Sequence, residues 1–237
     1  MDSLPVYIPI VFVLTTCAAF GFFVWAIDGV GFKRLDAITP LFIIPLWGTL
    51  TAILAVKGFY QDTASVPPRL FLFGVLPALL LIVVYFIFFR ESFIERLSLR
   101  TLTLLHVVRI PVEIVLLWLS FGGQVPQVMT FEGRNFDILS GILAPIVYLV
   151  AFRGGTVNRP VLIAYNILGL LLLANIVVIA ILSLPSPMQQ MAFDQPNRAV
   201  LFFPYIWLPT IIVPIVLFSH LASLWKLLFA SPKKLKS

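Results

Sequence analysis

Apolar positions in this chain do not alternate with polar ones, nor do they keep to one stripe of a 3.6-residue period. They come in long runs separated by short polar stretches, and Leu70 to Phe89 contains no charged residue. A bilayer core of about 30 Å is crossed by about 20 apolar residues in helical form. Continuous runs also exclude a membrane β-barrel, whose strands alternate. The pattern predicts seven transmembrane helices at about 5–27, 37–57, 70–89, 101–121, 136–152, 160–184 and 200–225. The fifth is short and the fourth carries charges. The whole chain, 1–237, reads as one all-α, seven-helix transmembrane domain.

Composition agrees. Of 237 residues, 61% are hydrophobic and 11% charged, with a mean hydropathy of +1.08. A soluble domain has about 45–50% apolar and about 25% charged residues. A core of ordinary size cannot hide that much apolar surface, so lipid must cover the rest. No segment outside the runs is long enough to build a soluble catalytic domain.

Charge then orients the helices. With the N-terminus outside, the inner loops hold Lys33, Arg34, Arg90, Arg96, Arg100, Arg153, Arg159, Lys226, Lys233, Lys234 and Lys236. The outer segments hold only Lys57, Arg69, Arg134 and Arg198, and Arg109 lies within a span. Cytoplasmic loops of membrane proteins carry the excess of Lys and Arg. The expectation is a multi-pass protein of a plasma or inner membrane with its C-terminus cytoplasmic. The net charge of +6 accordingly reads as topology, not as nucleic-acid binding. Tyr205 and Trp207 are expected as interfacial anchors at the outer end of the seventh span, and Trp225 at its inner end. The basic tail from Ser231 to Lys236 reads as a topology anchor. The opening Met1-Asp2-Ser3 lacks the basic region of a signal peptide, so the first helix is expected to remain uncleaved.

The chain's one cysteine, Cys17, and two histidines, His106 and His220, exclude an intrachain disulfide, a Cys/His metal cluster and a three-His zinc site. A retinal Schiff base needs a lysine in mid-helix. The stretch Ile211 to His220 has none, and Lys226 falls near the inner edge. No metal is expected, and the sequence specifies no cofactor. Pro9, Pro45, Pro77, Pro111, Pro145, Pro209 and Pro214 fall within spans. Each removes a backbone donor and tends to kink its helix. They read either as kinks that open a cavity or as the ordinary proline content of membrane helices.

Chemistry concentrates in the fourth span. Helical steps of about 100° place His106 at 0°, Arg109 near −60°, Glu113 near −20° and Ser120 near −40°. Arg109 and Glu113 are spaced i, i+4 and are expected to meet. An ionised group near the bilayer centre costs at least about 2.5–3.5 kcal/mol, so such residues face the bundle interior and pair. Either they neutralise each other and pin the helix, or they line a wet cavity and bind a ligand, an ion or a proton.

A second cluster, Glu132-Gly133-Arg134-Asn135-Phe136-Asp137, follows on the outer side. Asn135 suits an N-cap and Asp137 the first turn of the fifth span. Asp137, Ser140, Gly141, Ala144 and Tyr148 fall within about 100° on that helix, a small-residue face that permits close approach. Antiparallel packing of the fourth and fifth spans then predicts Glu113 at the depth of Ser140 to Ala144. The expected site is an outward pocket between these two spans, floored by Arg109 and Glu113 with His106 beside them. Glu132, Arg134, Asn135 and Asp137 would rim it, with Tyr148 on the same face. The link Gly122 to Met129 reads as a lid or a plain loop. Asn166 and Asn175 fall on opposite faces of the sixth span, Asn166 with Gly169 as packing glue. His220 reads as a capping or snorkelling residue near the inner end of the seventh.

Three functions fit. The first is binding or transport of a small polar or anionic solute, with Arg109 holding the anion and Glu113 carrying a coupling proton. The second is an intramembrane enzyme on a lipid or isoprenoid, using Glu113 or Asp137 as acid or base with His106. The third is a sensor or assembly subunit without catalysis. The partners expected are the bilayer and such a solute, and no nucleic acid.

Overall fold

The computed structural model describes residues 4–28, 30–31 and 34–230. Lys33 and the basic tail from Ser231 onward lie outside them. Among the described residues the chain is helical throughout its ordered elements and contains no strand. Eight α-helices follow in order: α1 Tyr7–Asp28, α2 Leu35–Val56, α3 Leu76–Phe88, α4 Leu99–Leu105, α5 Arg109–Phe121, α6 Ile138–Ala151, α7 Arg159–Leu182 and α8 Val213–Phe229. A 3-10 turn, His106–Val108, joins α4 to α5, and wide π turns, Phe71–Val75 and Leu208–Ile212, lead into α3 and α8. Six continuous helical segments are long and apolar enough to cross a membrane, and a seventh, α6, is apolar but has 14 residues.

Local chemistry sets the ends. Ser98 caps α4 by accepting from the Thr101 N–H, and Asn158 caps α7 by accepting from the Val161 N–H. The last span is displaced from its expected place: it runs from Leu208 to Phe229, not 200–225. Pro204 lacks an N–H, and a residue before proline is steered away from helical backbone. Residues 199–207 therefore form a short 3-10 turn and a bend that packs Val200, Leu201 and Ile206 into the protein. Tyr205 is correspondingly not an interfacial anchor. It is buried, with its ring against Phe12.

Two interior prolines are answered by tyrosines. Pro40 has no N–H to give to the carbonyl of Asp36 one turn earlier, and the Tyr85 hydroxyl donates to that oxygen at 3.0 Å. Pro77 leaves the carbonyl of Phe73 in the same state, and the Tyr60 hydroxyl donates to it at 3.2 Å. Burial pushes the Tyr60 hydroxyl up to about 12, so it remains a donor.

The most buried segments are α4–α5 and α8, which form the centre with α1, α6 and α7 around them. Helices α2 and α3 lean on the α8 segment from one side. An apolar groove of about 220 Å³ separates them there, lined by Pro40, Trp47, Pro77 and Pro214 among others.

Candidate functional site

The 3-10 turn His106–Val108 decides which polar groups face inward. In such a turn residues i and i+3 eclipse, so His106 and Arg109 point to the same side, and both are buried. Two glycines let the neighbouring helices close around them. A Cβ on Gly141 would stand 2.9 Å from Ile110 Cγ1 and 3.2 Å from the His106 carbonyl oxygen. A Cβ on Gly169 would stand 2.3 Å from His220 Cε1. Glycine at 141 thus brings α6 onto the α4–α5 junction, and glycine at 169 admits the imidazole of α8 beneath α7.

Arg109, 2% exposed, is the hub. Its Nε donates to Asp137 Oδ2 at 2.6 Å, and Nη2 forms an ion pair with Asp137 Oδ1. Nη1 donates to Ser140 Oγ at 2.7 Å and to His220 Nε2 at 3.0 Å, while Nη2 also donates to the Gly169 carbonyl at 3.3 Å. A guanidinium has five N–H donors, and four of them make hydrogen bonds here, beside the ion pair with Asp137. The shell continues outward. His220 Nδ1 lies 2.8 Å from Asn166 Oδ1, the Asn166 amide donates to the Leu162 carbonyl, and the Tyr165 hydroxyl donates to the Ser140 carbonyl. His106 stacks on His220, and neither of its ring nitrogens has a hydrogen-bond partner among the described residues.

Glu113 has a different partner from the one expected. Its two oxygens accept from Asn135 Nδ2 at 2.7 and 2.6 Å, and it forms no ion pair with Arg109 within 4.0 Å. The Asn135 amide orientation is fixed from its other side, because Asn135 Oδ1 accepts the Asp137 N–H at 3.0 Å. Asp137 itself occupies the N-cap position of α6, not its first turn. The register between the two helices is therefore about one turn from the expected one. Arg109, not Glu113, is level with Asp137 and Ser140, because the Gly141 contact sets the depth.

The expected site residues divide. Arg109, Glu113, His106, Asn135 and Asp137 come together, whereas Glu132 and Arg134 are exposed and Tyr148 packs against Phe152. Asn175 donates to the Arg134 carbonyl, away from Asn166. Val125 and Met129 of the 122–129 link are buried in the core. His220, Asn166, Gly169 and Tyr165 join the network without having been assigned to it from sequence. His220 is fully buried at the middle of its segment and is not a snorkelling residue near the inner end.

A cavity of about 230 Å³ reaches this network from the side of α3, α7 and α8, not from between α5 and α6. Its walls include Leu79, Leu116, Ile176 and Val216, and Arg109, Glu113, Asp137 and Asn197 contribute its polar lining. His106 does not line it.

Fold and site together define an all-helical bundle with membrane-length apolar helices, a buried ionic network and an apolar cavity that meets it. The chain belongs to the family described as Domain of unknown function (DUF8737), whose match spans residues 66–228 and so takes in every residue of the network. No curated protein and no solved structure matches the chain.

Proposed function

We propose that this is an integral membrane protein of seven spans, N-terminus outside, that binds or carries a small molecule in the cavity between α3, α5, α7 and α8. The observation that carries the reading is the cavity itself: an apolar chamber whose wall includes the buried ionisable side chains of Arg109, Glu113 and Asp137. Ligand sites are mostly apolar concavities with a few placed polar groups, and intramembrane ionisable residues are functional candidates by default. The 11-to-4 distribution of basic residues between inner and outer segments supports the orientation.

An acid–base reading would need Glu113, Asp137 and His106 to face one substrate. His106 is walled off by His220 and Tyr165, so binding or transport is the reading the geometry favours. The test is mass spectrometry of small molecules that co-purify with the wild type and with Glu113→Gln, beside a melting curve for each. A compound present in the wild type and lost from a folded Glu113→Gln supports the proposal. No compound from either protein, with the variant melting far lower, leaves the network a structural brace and removes the ligand.

A further inference from the structure

Resting on that cavity reading, we propose its ligand class: an aliphatic amine, bound with its ammonium at Glu113 and its hydrocarbon tail along the apolar walls. The argument starts from which polar atoms remain open. Arg109 makes four hydrogen bonds, to Asp137, Ser140, His220 and the Gly169 carbonyl, and is ion-paired with Asp137, so its charge and most of its donors are already met within the protein. The other polar side chains on the lining are Glu113, Asp137 and Asn197. Glu113 and Asp137 are acceptors when ionised. Asn197 donates through Nδ2 to the Ala180 carbonyl, and its Oδ1 is buried without a hydrogen-bond partner. The Glu113 carboxylate and Asn197 Oδ1 are acceptors, and a ligand that meets them brings donors.

Charge points the same way. Arg109 and Asp137 neutralise each other as a bidentate pair. Glu113, 1% exposed, has the Asn135 amide as its hydrogen-bond partner and no cation within ion-pair distance among the described residues. With Glu113 ionised, the network would carry one net negative charge at the cavity wall. Buried charges in proteins are paired or neutralised, and an ammonium supplies the missing pair and up to three donors. The remaining walls, Leu79, Leu116, Leu173, Ile176, Val213 and Val216, suit only hydrocarbon.

The experiment uses the full chain in proteoliposomes with two photoactivatable probes of equal chain length, a diazirine-bearing decylamine and the matching decanoic acid. Labelled peptides are mapped by mass spectrometry, and specific labelling is that removed by excess unlabelled decylamine or decanoic acid respectively. The expected result is specific labelling of α7 and α8 peptides by the amine, at least tenfold above the acid, and lost in Glu113→Gln. Ile176→Trp adds bulk to the cavity wall at a residue that makes no hydrogen bond to the network. It is expected to lose the labelling with its melting temperature little changed, which keeps the test open if Glu113→Gln fails to fold. Equal labelling by the acid, displaced by decanoic acid, overturns the amine while leaving a ligand cavity. Absence of specific labelling by both probes overturns the cavity reading as well.

Discussion

The imidazoles of His106 and His220 lie face to face, their ring centres 3.7 Å apart and their planes 11° from parallel. The two rings have opposite hydrogen-bonding states. His220 Nε2 accepts from Arg109 and its Nδ1 meets the Asn166 carbonyl oxygen. That arrangement assigns a neutral ring with its proton on Nδ1, because the Asn166 amide nitrogen is committed to Leu162. His106 offers its face and makes no hydrogen bond among the described residues.

Substituting each ring by phenylalanine separates the two roles. His220→Phe keeps an aromatic face but leaves a buried guanidinium N–H unpartnered, an expected loss of about 1–3 kcal/mol. His106→Phe breaks no hydrogen bond and should cost less than about 1.5 kcal/mol. Unfolding in detergent, followed by circular dichroism, measures both. A larger loss for His106→Phe would refute the assignment.

The carboxylates should differ as sharply. Asp137→Asn removes the anion paired with a 2%-exposed arginine, and breaking a buried pair from one side costs about 3–5 kcal/mol. Glu113→Gln removes no salt-bridge partner and is expected to stay folded with a far smaller drop in melting temperature. Equal drops would mean that Glu113 shares the charge of Arg109.

Glycine at 169 carries a steric prediction. A methyl group there would overlap the His220 ring at 2.3 Å, so Gly169→Ala should cost about 1–3 kcal/mol by overpacking. The control is Gly21→Ala in α1, where nothing lies within 4 Å and helix propensity alone favours alanine by about 1 kcal/mol. Parallel melting curves read the contrast.

The Pro40–Tyr85 relationship can be tested by a double-mutant cycle. Tyr85→Phe orphans the Asp36 carbonyl at an expected cost of about 1–3 kcal/mol. In a Pro40→Ala background the restored N–H takes that carbonyl, and the same change should cost measurably less. Additive effects would show that the hydroxyl is not standing in for the missing amide.

Orientation is checked by single-cysteine labelling in a Cys17→Ser background. Arg134→Cys is expected to react with an impermeant maleimide on intact cells, and Arg153→Cys only after permeabilisation. The reverse pattern would invert the topology.

Much of this was legible in the chain, and the failures share a cause. Continuous apolar runs locate helices because lipid tolerates little else, and the stripe of His106, Arg109 and Glu113 identified the buried face of the fourth span. The pairing of those charges was not legible, because it depends on the depth of one helix against another, here set by the Gly141 contact. His220 was misplaced for a related reason. An apolar run beginning near 200 makes residue 220 look close to its end, but Pro204 delays the helix to Leu208, and the histidine falls near the middle of the segment Leu208–Phe229. Hydropathy cannot distinguish an apolar residue on a helix surface from one folded into a bend, such as Val200 or Leu201.

In the proposed seven-span arrangement, the brevity of α6 has a consequence for the bilayer around it. Fourteen residues rise about 21 Å, roughly 9 Å less than a typical hydrocarbon core. Such hydrophobic mismatch is relieved by thinning of the adjacent bilayer or by tilt, at fractions of a kcal/mol per Å. In the proposed orientation Asp137 caps the outer end of this helix, so a leaflet that dimples to meet α6 would bring headgroups and water toward the Arg109 network. A thin membrane would suit the protein better than a thick, sterol-rich one.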